Sequence, residues 1–159
     1  MVETPWLAPG TRIALLGGVM TQTLFHGSPA ARISEIRATG VFGGLFASES
    51  ERAARSHGDT LYVIESTIPL TDYALNYEIE SAYEIALEIA KGDEARADAI
   101  MSRGCEWDST DPEDGWEIQR LRGELAALLG YTSVEMADEH GATWLCLPGC
   151  TIRKIEEQL

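Results

Sequence analysis

The sequence predicts a single domain of the α+β class, because runs typical of β-strands stand near both ends of the chain and helical patterns fill its middle. The 159 residues fit one domain, 1–159, in which residues 1–20 form an N-terminal arm and strand and residues 76–130 form a helical insertion. Hydrophobic residues make up 45% of the chain, which is ordinary for a protein with a packed core.

Four strand-like runs lie in the first half of the chain. RIALL, QTLFHGSP, GLFA and TLYVIEST are rich in apolar, β-branched or aromatic residues, and the second run ends in a turn at Gly27 and Pro29. Between the last two runs, Ser48 followed by Glu51 is typical of a capping box, which predicts a helix that ends at Gly58.

The middle of the chain predicts three further helices. In residues 76–91 apolar side chains recur at helical spacing, which predicts an amphipathic helix that ends at Gly92. Other helices are predicted over 93–103 and over 112–130, the latter with Asp111 as its N-cap. YTSVEM, ATWLCL and CTIRKI then predict three final strands separated by DEHG and PG turns. The apolar stripe of 76–91 comprises Ile79, Ala82, Tyr83, Ala86, Ile89 and Ala90.

The charge of the chain favours some partners over others. With 26 acidic against 12 basic residues the net charge is -14, so we expect no direct nucleic-acid binding and an attraction to a basic protein. The apolar run IALLGGVM is too short to span a membrane or to form a signal peptide, and three cysteines without dense spacing fit a reducing cytoplasm. His140, Cys146 and Cys150 lack the spacing of metal ligands, so no metal site is expected.

Two early segments and one late cluster contain candidate site residues. His26 lies at the end of a predicted strand and Phe46 at a strand edge, where a ring can form a wall for a planar ligand. Glu135, Asp138 and Glu139 stand within five positions, and like charges so close are typical of a place that a positive charge visits. The structural alternatives are a hydrogen-bonded histidine, a core phenylalanine and solvated surface acids.

Three segments in this order resemble the ADP-ribosyltransferase superfamily: LFHGSP, then FGGLFASESERAARSHG, then an acid near the last strands. FHGSP, WEIQ followed by a helix, and LGYTSVEMADEHGATW are similar to the phage anti-CRISPR ADP-ribosyltransferases that act on type I-F CRISPR complexes. The resemblance covers most of the chain. It implies an ADP-ribosyltransferase-like fold of split antiparallel β-sheets.

The resemblance also implies NAD as the substrate and assigns roles to the acids. Cleavage of the bond between nicotinamide and ribose builds positive charge on the ribose, and a carboxylate beside it stabilises that charge. By this likeness Asp138 is the catalytic acid, with Glu135 and Glu139 as helpers or alternates.

The implied NAD contacts lie in the two early segments. His26 would bond to the adenosine ribose, the backbone at Gly27 would read the nicotinamide amide, and Ser28 and Ser48 would support binding. Phe46 is the candidate nicotinamide wall, although the tyrosines that stack on nicotinamide in the polymerase branch of the superfamily have no counterpart here.

The function that the resemblance implies is mono-ADP-ribosylation of the PAM-reading subunit of a type I-F surveillance complex in the bacterial host cell. One alternative keeps the fold but makes the protein a toxin of a toxin–antitoxin pair. A tRNA 2′-phosphotransferase would need basic residues for RNA, and the net charge of -14 opposes that. The alternative from another class is a non-catalytic acidic protein that blocks a DNA-binding groove.

Overall fold

The molecule contains two four-stranded sheets and a group of helices. A computed structural model describes residues 13–16, 19–29, 33–104, 112–138 and 141–155. In these ranges the predicted α+β class is confirmed. The strands are β1 Ile13–Leu16, β2 Val19–Ser28, β3 Leu45–Ala47, β4 Thr60–Ser66, β5 Pro69–Leu70, β6 Ser133–Asp138, β7 Gly141–Cys146 and β8 Thr151–Lys154. The helices are α1 Glu51–Arg55, α2 Ala82–Ile89, α3 Glu94–Met101 and α4 Pro112–Leu128, with a π-helical segment at Ala74–Glu78.

The first sheet has the strand order β1-β2-β4-β8, and all its pairs are antiparallel. In the pairing of β2 with β4, His26 lies opposite Tyr62 and Gly27 opposite Leu61. Leu24, Tyr62 and Ile64 are fully buried, which explains why these strands are rich in aromatic and branched residues.

The second sheet has the order β3-β7-β6-β5. Its long hairpin, β6 with β7, is antiparallel, whereas β5 runs parallel to β6. The sheets are joined by backbone hydrogen bonds in both directions between Phe25 of β2 and Ser48, the residue after β3, at 2.7 and 2.8 Å. This connection brings the end of β2 against β3.

Two hydrophobic cores fill the described part of the chain. The smaller lies between the sheets and contains Leu24, Ile36, Ala47, Ile64, Trp144 and Cys146. The larger lies between the second sheet and α2, α3 and α4, where Ile100, Leu125 and Met136 are among its buried members. The helices of the predicted helical insertion therefore pack on the second sheet.

The predicted helix over 76–91 is wrong in its first part. Asn76 donates from its side chain to the carbonyl oxygens of Asp72 and Met101, both at 3.1 Å, and these bonds hold a π-helical segment against the end of α3. The backbone is extended at Ile79, and the α-helix begins only at Ala82. Tyr83, assigned to the buried stripe, is 39% exposed.

The N-cap of α1 also differs from the prediction. Ser50, not Ser48, accepts the hydrogen bond from the backbone of Ala53, at 3.2 Å. The hydroxyl oxygen of Ser48 instead accepts from the backbone of Ser50 at 3.0 Å, so it positions the capping residue. Asp111 lies outside the described residues, and no described helix is long and apolar enough to cross a membrane.

Candidate active site

A cleft of about 780 Å³ lies where the end of β2 meets β3, α1 and the β6–β7 hairpin. This volume falls in the range of small-molecule sites. Of the predicted site residues, the cleft is lined by His26, Gly27, Phe46 and Ser48. The structure thus brings together the two early segments that the sequence singles out.

The ring of His26 is fixed by a hydrogen bond between the two sheets. Its Nδ1 lies 2.6 Å from the carbonyl oxygen of Phe46, and because a carbonyl only accepts, Nδ1 carries the proton. Burial lowers the pKa of His26, the hydrogen bond to Phe46 opposes this, and nearby His57 lowers the pKa further. The imidazole is therefore neutral at pH 7, and its Nε2 is an acceptor.

Gly27 lets helix α1 pack directly on β2. A Cβ atom at this position would overlap the carbonyl oxygen of Ala54, which belongs to α1. The helix thus occupies the space on one side of the Gly27 backbone, the backbone that by the resemblance would read the nicotinamide amide. The close packing brings the end of α1, with Ser56 and His57, to the wall of the cleft.

The aromatic wall of the cleft belongs to a larger group of rings. Phe46 lies edge-on to Phe42, with ring centroids 4.9 Å apart, and Phe42 lies 6.5 Å from Trp116 of α4. Phe46 also packs against the larger core. Phe46 is therefore both a core residue and part of the cleft wall.

The strand that carries the acid cluster ends at the cleft. Met136 and Ala137 line it, and Asp138 follows as the last residue of β6, paired with Gly141. The side chain of Asp138 lies outside the described residues, as do Glu139 and His140. Their predicted roles stay predictions.

Glu135 and Ser28 lie away from the cleft lining. Glu135 is 5% exposed, accepts a hydrogen bond from the backbone of Asp72 at 2.9 Å and forms an ion pair with Arg103 at 3.1 Å. Ser28, the last residue of β2, is buried. The carboxylate of Glu135 is thus held by the neighbouring segments rather than presented to a ligand.

Arg122 of α4 is fully buried and was not singled out by the sequence. It donates to the carbonyl oxygens of Glu135, Ile100 and Met101 and forms an ion pair with Asp72 at 2.8 Å; the Arg122 hydrogen bonds span 2.8 to 3.1 Å. These bonds join β6, the end of α3 and the segment after β5. Its position in the sequence could have indicated that it is buried, since it falls at helical spacing among three apolar residues of α4: Ile118, Leu121 and Leu125.

Six polar residues of the cleft lining were not among the predicted contacts, and three of them are Glu49, Gln119 and His57. Glu49 accepts from Nε1 of Trp144 at 3.2 Å, and Gln119 reaches the cleft from α4. His57, at the end of the α1 region, is the third. Among the described residues no group of His, Cys, Asp and Glu has a geometry that would hold a metal ion.

The strand order brings His26, Gly27, Phe46 and the acid end of β6 to one cleft, and comparison with known families places the molecule in the ADP-ribosyltransferase class. Residues 22–155 match the family model described as "Anti-CRISPR Type I-F ADP-ribosyltransferase AcrIF11". The chain belongs to this family, and it is an ADP-ribosyltransferase.

A solved structure agrees with the family match. The chain is similar to a protein described as "Crystal structure of an anti-CRISPR protein", with 65% identity and a TM-score of 0.80, over 85% of this chain and 96% of that one. No curated protein matches the chain. The resemblance predicted from the sequence is confirmed, and family membership implies NAD as substrate and a protein of the CRISPR system as target.

Proposed function

We propose that the protein is an NAD-dependent mono-ADP-ribosyltransferase that modifies the PAM-reading subunit of a type I-F surveillance complex in the cytoplasm of the host bacterium. The observation that carries the proposal is the convergence of β2, β3 and the acid end of β6 on one cleft in a member of this family. ADP-ribose on a PAM-contacting residue would add bulk and negative charge where DNA phosphates approach, so DNA recognition would be lost.

The cleft residues match the chemistry of NAD. The neutral His26 offers Nε2 as an acceptor for a ribose hydroxyl, because Nδ1 is already committed to Phe46. Phe46 supplies a flat apolar wall for the nicotinamide ring, and the Gly27 backbone and the Ser48 region supply polar groups beside it. Ser28 is buried at the end of β2 and does not line the cleft, so its part in NAD binding stays a prediction.

Asp138 is the proposed catalytic residue. As the bond from ribose C1′ to the nicotinamide nitrogen breaks, the electron pair leaves with nicotinamide, and the carboxylate stabilises the positive charge on the ribose. A nucleophilic side chain of the target then forms the new bond to C1′ and loses its proton to solvent. Glu139 is the alternate acid, and Glu135 keeps β6 in place through Arg103 and the backbone of Asp72.

The net charge supports a basic protein surface as the partner. With a charge of -14 the enzyme is attracted to a surface that binds DNA phosphates and is repelled by DNA itself. Encounter would therefore be fastest at low salt.

The test is intact-mass analysis of every subunit of a purified type I-F complex after incubation with NAD and enzyme. We expect the native protein to add the mass of one ADP-ribose to one subunit, and Asp138→Asn to slow this by at least about 100-fold, since it removes a charge that stabilises the transition state. Asp98→Asn, at an exposed acid of α3, is the matched control and keeps full activity.

The rival functions give different results in the same experiment. An acidic blocker would inhibit DNA binding without NAD, add no mass, and still inhibit as Asp138→Asn. A toxin would leave the complex unlabelled and would arrest bacterial growth when expressed alone. The mass of many ADP-ribose units on one subunit, linked as long chains, would contradict mono-transfer.

A further inference from the structure

We propose that an apolar rim, formed by Val41, Phe42 and Trp116, is the docking surface for the protein substrate, and that it binds a basic patch of that protein that also exposes apolar side chains. The proposal rests on the proposed function, because it places the target beside the NAD cleft. It assigns a role to residues that are not part of the cleft lining.

The rim exposes large apolar side chains that the fold does not cover. Val41 is 55% and Trp116 is 43% exposed; Val41 precedes Phe42 in the chain, and the indole of Trp116 lies 6.5 Å from the half-buried ring of Phe42. Grouped exposed apolar residues of this kind mark contact surfaces on proteins. Tryptophan is also the residue type that most often dominates the binding energy of an interface.

The rim is continuous with the cleft. Phe42 packs against both Trp116 and Phe46, and Phe46 lines the cleft. On α4, Trp116 and Gln119 are three positions apart and therefore lie on one helix face, with Gln119 in the cleft lining. A protein seated on the rim thus presents its surface to the cleft mouth, where ADP-ribose is transferred.

The charges around the rim select a basic partner. The first turn of α4 carries the exposed acids Glu113 and Asp114, and Glu113 is three positions before Trp116 and on the same helix face. An arginine on the target can stack on the indole face beside this acidic turn, a position that favours Arg over other side chains. The chain's net charge of -14 adds attraction over longer distances.

A second exposed aromatic pair provides the control. Tyr73 and Tyr77 lie 5.1 Å apart in the π-helical region, and Tyr77 is 77% exposed. Neither lines the cleft. Tyr77→Ala therefore removes an exposed aromatic ring of similar size without touching the rim.

The experiment compares wild type, Trp116→Ala, Trp116→Phe and Tyr77→Ala in two assays. One measures KM and kcat for modification of the purified type I-F complex at saturating NAD, and the other measures NAD hydrolysis without the complex. We expect Trp116→Ala to raise KM for the complex at least about tenfold, with hydrolysis of NAD unchanged. Trp116→Phe recovers part of the loss, and Tyr77→Ala changes neither assay.

Two outcomes would overturn the docking role. One is a KM for the complex within about twofold of wild type in Trp116→Ala, since central tryptophans of interfaces cost more than this. The other is an equal loss of NAD hydrolysis, which would make Trp116 part of the NAD site. If the wild type itself has no NAD activity, the proposed function fails, and direct binding of the complex to wild type and Trp116→Ala still decides the rim.

Discussion

Replacing Arg122 by methionine should destabilise the protein more than any surface change. The guanidinium donates to three main-chain carbonyl oxygens, of Glu135, Ile100 and Met101, and pairs with Asp72, while its own side chain is completely buried. Methionine fills the volume but removes the Arg122 donor from each of these carbonyls, of which only that of Met101 is known to keep another, from the side chain of Asn76. Each hydrogen bond lost in this way costs about 1 kcal/mol.

The expected loss is about 4 kcal/mol. The three carbonyls account for most of it, and the bond to Asp72 adds about 1 kcal/mol because that carboxylate is partly solvated, with 32% of its side chain exposed. Removing one partner of a buried ion pair typically costs about 3–5 kcal/mol, which agrees. For a domain of this size the melting temperature should fall by roughly 8–16 °C.

The assay is thermal and urea unfolding followed by far-UV circular dichroism. Arg122→Lys keeps the charge but presents one ammonium instead of a planar fork, so it should lose more than half of what methionine loses. Arg37→Met, which removes an ion pair from a side chain that is 70% exposed, should change stability by less than about 0.5 kcal/mol. A melting temperature of Arg122→Met within about 3 °C of wild type would refute the reasoning.

Three other predictions concern the cleft and the thiols. Below its ordinary pKa of 6.5 His26 takes up a proton in the unfolded chain, whereas in the folded protein it does so only at lower pH, so stability should fall as pH drops below about 6.5. Between pH 7.5 and 5.5 the urea midpoint of His26→Gln should therefore fall less than that of wild type. Equal losses in the two proteins would contradict the lowered pKa of His26. Gly27→Ala should detach α1 through the clash with Ala54, seen as faster proteolysis there and loss of NAD hydrolysis, and an unchanged digest would argue against it. A hydrogen bond with Cys146 is the main cause that lowers the pKa of Cys150 to about 7. At pH 7 iodoacetamide should therefore label Cys150 at about half the rate reached at high pH. A labelling rate that rises about tenfold from pH 7 to 8 would disprove this.

Much of the fold follows from local pattern. Strands β2 and β4 are recognisable in the sequence because they are rich in the branched and aromatic residues that strands favour. Helix α3 is recognisable by its N-cap, since the side chain of Asp93 accepts a hydrogen bond from the backbone of Arg96. Strand β5 has only two residues, and it is a strand because it pairs in parallel with β6, far away in sequence. No local pattern contains that information.

The site divides in the same way. His26 and Phe46 were recognisable as motif residues, and the structure brings them to one cleft through a bond between the two sheets. The network around Arg122 depends on which carbonyl oxygens are left free at the end of α3, and only the packed structure determines that. A helical arginine in sequence is most often a surface residue, so burial could not be assumed.

The unequal sizes of the two cores have a consequence for how the cleft opens. The smaller core, between the sheets, holds few buried side chains around Trp144, whereas the larger is shared by three helices and a sheet. Subglobal opening should therefore separate the first sheet from the second while the helical half stays folded, so the amides of β2 exchange with deuterium sooner than those of β6. The HGS segment lies on the half that opens, and the acid strand lies on the half that stays folded. A dinucleotide bound between them would hold the two sheets together. Its residence time would then be limited by the separation of the sheets rather than by a mobile lid.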